Sequence, residues 1–156
     1  MKKHFILIFV ILIAINILAS MSMSYATNTF TVLVGCDSWD NDDDGKDIGD
    51  VSAIIDLDGD LVISLSGVYP GYVAYVNFTI KNFGYPDDPA MYLRNIDITN
   101  PPVLSVTVTY LNGDPIPVDT PLESGETLEG LVTVSVLDGV EELQTYNFDV
   151  TLVFSH

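Results

Sequence analysis

The chain has 156 residues, 22 acids against 5 bases, a net charge of −17 and a single cysteine. That balance argues against nucleic-acid and anionic-lipid partners, which need a basic face, and one cysteine excludes an internal disulfide. Only His4 and His156 are available as imidazoles, so Ser–His or Cys–His catalysis is nearly excluded too.

The N-terminus reads as an export signal. Lys2 and Lys3 precede an apolar run from Phe5 to Leu18, and Ser24-Tyr25-Ala26 places small residues at −3 and −1 of a cleavage point. The run is short for a membrane span, which needs about 20 residues. An uncleaved anchor is the alternative, and it is the only membrane contact expected. Either way the remainder is secreted or held at the cell surface. Cleavage leaves residues 27–156, the size of one domain. Only Lys46, Lys81 and Arg94 then face the 22 acids, for a net charge of −19.

Beyond residue 26, period-two runs of β-branched and aromatic residues are broken by Gly, Pro, Asn and Asp clusters. This pattern predicts an all-β sandwich or barrel. The runs are 30–34, 51–57, 61–66, 73–81, 92–98, 103–111, 128–137 and 143–154. Asp58-Gly59 and Asp138-Gly139 each predict a tight hairpin. Pro115 and Pro117 imply an edge or a loop after Asn112-Gly113.

The densest chemical signal is the stretch from Asp37 to Asp50. Asp40, Asp42, Asp44 and Gly45 match the opening of a calcium loop, in which alternate carboxylates of a curled segment converge on one hard cation. Asp47 and Asp50 are candidates for further oxygens. The twelfth loop position is Val51 instead of Glu, and no flanking helices are predicted, so only half of an EF-hand is present. A solvated acidic linker is the other reading. Asp56-Leu57-Asp58-Gly59-Asp60 is read as turn chemistry.

Asn77-Phe78-Thr79 is a glycosylation sequence, usable if its strand face is open. Tyr69-Pro70-Gly71-Tyr72 is either a contact patch or the cover of a sandwich end. Leu33-Val34-Gly35-Cys36 is like a lipobox but lies too far from the apolar run. Glu123, Glu126, Glu141 and Glu142 fall at turns, so no carboxylate-pair enzyme is expected.

The segments Lys46-Asp47-Ile48-Gly49-Asp50-Val51, Tyr69-Pro70-Gly71-Tyr72 and Val76 to Gly84, ending Lys81-Asn82-Phe83-Gly84, resemble secreted camelysin and TasA-like proteins, including archaeal bundling-pilus subunits. The resemblance covers about residues 27–84. It implies a jelly-roll or Ig-like sandwich that polymerises with its own copies by donor-strand exchange. The donor would lie within 27–36, with Phe30, Val32 and Val34 as its groove-filling side chains. The other reading of residues 27–34 is an ordinary first strand that pairs within its own domain. Residues 37–50 then form an acidic loop and 51–156 the sandwich. The expectation is a filament or biofilm-matrix subunit, stiffened by calcium. The alternative is a monomeric Ig-like surface module that contacts glycans or other surface proteins.

Overall fold

The computed structural model describes residues 31–41 and 49–156. The expected export signal, Phe30, Asp42, Asp44 and Asp47 lie outside these residues. Among the described residues there are nine strands and no helix: β1 (Thr31–Asp40), β2 (Asp50–Ile55), β3 (Leu61–Val68), β4 (Val73–Asn82), β5 (Met91–Ile98), β6 (Leu104–Tyr110), β7 (Pro121–Leu122), β8 (Thr127–Val136) and β9 (Gln144–Ser155).

All pairings are antiparallel. One sheet has the order β1-β4-β8-β6 and the other β2-β3-β9-β5-β7. From β4 onward, each strand lies in the opposite sheet from its predecessor, and β2–β3 is the one consecutive ladder among the described residues. The Asp58-Gly59 hairpin therefore forms as expected, with Gly59 at φ 89°. The Asp138-Gly139 hairpin does not. Leu143, at φ 63°, donates its N–H to Val68 O at 2.9 Å and turns the chain into the other sheet.

Strict alternation builds the core between the sheets. In β4, Ala74, Val76, Phe78 and Ile80 are buried while Tyr75, Asn77, Thr79 and Lys81 point outward. Leu61, Ile63 and Leu65 of β3 and Phe148 and Val150 of β9 face them, all essentially inaccessible. Each such side chain contributes about 1.5–3 kcal/mol by leaving water. Gly130 in β8 is needed for packing, because a Cβ there would run into the Phe78 ring.

The first strand is longer than the sequence pattern predicts. It continues past Val34 to Asp40, so Asp37–Asp40 belong to a strand and not to the acidic loop. The extension is held by its partner: Cys36, Ser38 and Asp40 sit opposite Phe78, Val76 and Ala74. β7 was not expected, since two residues beginning with proline give no period.

Candidate functional site

The site that stands out is the seam made by β1. β1 is the edge of the four-stranded sheet, and it forms a backbone ladder with β4 from Thr31↔Asn82 to Asp40↔Ala74. Its inward side chains also reach the edge of the other sheet. Cys36 Sγ donates to Ala53 O at 3.4 Å and Ser38 Oγ donates to Val51 O at 3.2 Å. Both acceptors are backbone carbonyls of β2, the opposite edge strand. One strand thus covers two edges that would otherwise present unpaired backbone groups.

Its apolar contribution is small. Leu33, opposite Ile80, is the buried hydrophobe of β1 among the side chains described. Of the expected assembly residues, Phe30 lies outside the described residues and Val32 contributes backbone pairing with Lys81. Val34 is 47% exposed. The register shifts between Leu33 and Gly35, and this bulge aims Val34 away from the core. The inward place belongs to Leu33.

At the N-terminal end of β1 the sheets part into a cleft of about 490 Å³. Leu33, Ile55, Ile80, Leu152 and Phe154 give it apolar walls, and Asp56, Asp58 and Asp60 of the β2–β3 turn stand at its rim. Asp56 is committed to the turn, its Oδ1 accepting from Asp58 N at 2.9 Å and Asp60 N at 3.0 Å.

At the other end of β1, the acidic run is pinned at its base. Tyr72 is fully buried and its hydroxyl donates to Asp40 Oδ2 at 2.6 Å. Gly49 packs so closely on the Tyr72 ring that a Cβ would lie within 3.0 Å of ring atoms. Asn41 adds a reciprocal pair with Val73, N–H to O at 3.0 Å and Oδ1 from N–H at 2.9 Å. Tyr69 meets Tyr72 edge-on at 5.7 Å. Tyr72 thus joins Asp40 to Gly49, with Tyr69 packed on its edge. Asp50 is exposed at the start of β2. Among the described residues, no three His, Cys, Asp or Glu side chains are grouped to hold a metal.

Cys36 is half-buried, and burial, helped by the neighbouring Asp37 charge, pushes its thiol above the ordinary range. That keeps it protonated and a poor nucleophile at neutral pH. Asn77 and Thr79 lie on the outer face of β4. On that same face Trp39 stacks on Tyr75, with ring centroids 5.6 Å apart and planes 18° from parallel. The expected acidic loop, residues 37–50, includes Trp39, which the structure places in β1 instead. Only the cross-strand register Trp39↔Tyr75 reveals the pair. No protein-family model, curated protein or solved structure matches the chain significantly.

Proposed function

We propose that the protein is a secreted structural subunit of a surface filament or matrix, assembling when the N-terminal strand of one copy replaces β1 of the next. The observation that carries this reading is the double role of β1. It covers the β4 edge by a ladder and the β2 edge through Cys36 and Ser38. The other strands remain connected through residues 50–156 without it. A strand supplied by a second copy would meet the same two edges. Head-to-tail repetition of such a heterologous contact gives an open fibre. The resemblance to camelysin and TasA-like proteins points the same way, as does the apolar cleft where β1 enters. In this reading the sandwich is of jelly-roll or Ig-like type, and the alternation of strands between sheets supports it.

Calcium belongs to the same proposal. Asp40 and Gly49 meet at one tyrosine, so the intervening acids are tethered at both ends. Asp40, Asp42, Asp44, Asp47 and Asp50 are the carboxylates that would supply oxygens to a hard cation.

The test locks β1 in place. Asp37 and Asn77 are cross-strand partners on the outer face, so Asp37→Cys with Asn77→Cys, in a Cys36→Ser background, closes a disulfide between β1 and β4. Sedimentation and electron microscopy should show filaments from the unlocked chain, monomers from the oxidised double variant, and filaments again on reduction. Loss of filaments in chelator assigns the acidic run. A chain that stays monomeric in every buffer overturns the filament reading and leaves the monomeric surface module.

A further inference from the structure

The outer face of the four-stranded sheet has a composition unlike the rest of the molecule. Its register sets Trp39, Tyr75, Thr133 and Thr107 in one row across all four strands. With strands about 4.8 Å apart, the row spans roughly 14 Å. The next row begins at Asp37 and continues through Asn77, Leu131 and Thr109. Charge is sparse here, although the chain carries 22 acids. β6 contributes none at all, and Lys81 offsets one of the two acids, Asp37 and Glu129.

An open face that joins an aromatic pair to rows of hydroxyls and an amide has a definite recognition chemistry. Trp39 remains 43% exposed even though it is stacked on Tyr75. Aromatic faces are electron-rich, and they attract the electropositive C–H bonds of a pyranose ring. Hydroxyls and amides donate and accept in turn, which matches sugar hydroxyls. The partner must also be uncharged. Asp37 stands on the face and Asp40 begins the acidic run directly after Trp39, so a uronate or sulfated chain is repelled. Two copies packed through this face would bring two strongly acidic molecules together.

We propose that the outer face of the β1-β4-β8-β6 sheet binds neutral polysaccharide, with pyranose rings seated on the Trp39–Tyr75 pair and their hydroxyls bonded by Asn77 and the threonines of β6 and β8. This site lies on the outer face of the β1–β4 ladder, so it forms whether β1 comes from the same copy or from the next. It gives the molecule a means of adhering to a glycan matrix.

Trp39 is the sole tryptophan, so its emission reports directly on the site. The full chain, made in a host that leaves Asn77 unmodified, is run in native gels containing dextran, galactomannan or hydroxyethylcellulose, with alginate as the anionic control. At least one neutral polysaccharide should retard it and shift the Trp39 emission, while alginate does neither. Trp39→Ala should lose at least fivefold in affinity. Thr107→Asp, which leaves the aromatic pair intact, should weaken binding too, and Ile54→Ser on the other sheet's outer face should bind normally. Failure of all three neutral polysaccharides to retard the chain overturns the proposal. So does retardation of both face variants equal to that of the unaltered chain, or a dimer in sedimentation that Trp39→Ala dissolves.

Discussion

The Tyr72 hydroxyl donates to Asp40 Oδ2 at 2.6 Å while the ring of the same tyrosine lies against Gly49. One fully buried side chain thereby meets both Asp40 and Gly49, which lie on either side of the acidic stretch in the sequence. Tyr72→Phe keeps the ring and removes the bond, which should lower unfolding stability by about 1.5–3 kcal/mol, the range for a hydrogen bond to a charged acceptor. Gly49→Ala keeps the bond and drives a methyl into the ring, at about 1–3 kcal/mol. Urea unfolding monitored by Trp39 fluorescence measures both. Limited proteolysis should cut residues 41–48 faster in either variant.

Asn82 gives a physical reason for the Lys81-Asn82-Phe83-Gly84 sequence. It is 1% exposed, donates Nδ2 to Leu122 O at 2.9 Å and accepts Gly84 N–H on Oδ1 at 2.8 Å. Its side chain thus ties the end of β4 to β7 and bends the chain at Gly84. Asn82→Ala leaves a carbonyl and an N–H unpaired at a buried site, and should cost about 2–4 kcal/mol in a denaturant titration. Asn82→Asp should be no better, since it removes the donor and buries a charge.

Eight of the nine strands were readable from period-two patterning because their inward residues are apolar. β4, with Ala74, Val76, Phe78 and Ile80 on one face, is the plainest case. The second half of β1 was not readable, because its inward residues are Cys36, Ser38 and Asp40. They are held by hydrogen bonds to β2 and Tyr72 and not by burial in the core. The same gap hid the aromatic pair: Trp39 and Tyr75 are 36 positions apart, and only strand pairing makes them neighbours. The hairpin expected at Asp138-Gly139 failed for a related reason. A turn dipeptide specifies a reversal of direction but not the sheet into which the chain returns.

Leu143 offers a stabilising change. Its φ of 63° places an L side chain in the left-handed region, and that side chain is 65% exposed. Its backbone N–H does the structural work by bonding Val68 O. Leu143→Gly relieves the strain and loses little burial, though glycine adds freedom to the unfolded chain. The net should be a gain of about 0.5–1 kcal/mol, read as a higher urea midpoint at unchanged slope. A fall in the midpoint would show that the exposed leucine packs better than its exposure indicates.

Cys36 connects pH dependence with the state of β1. Burial, then the Asp37 charge, raises its thiol pKa in the folded chain, so the folded form keeps the proton to higher pH than the unfolded form does. The stability from this group is full below the unfolded thiol pKa of about 8.5. It falls as pH rises from there through the folded value. Cys36→Ser keeps a donor for Ala53 O and cannot titrate in this window. The stability difference between the two chains should therefore be flat up to about pH 8 and move against the cysteine form above it. The same thiol reports strand exchange, since it is protected only while β1 lies against β2. Labelling with a maleimide probe at pH 8 should be slow in the monomer, and slower still in a second lock that keeps Cys36 and joins Asp37→Cys to Asn77→Cys by a disulfide, which the probe spares. Equal rates in locked and unlocked chains would mean that β1 does not leave its seam on the labelling timescale, and exchange would then have to occur before the domain folds.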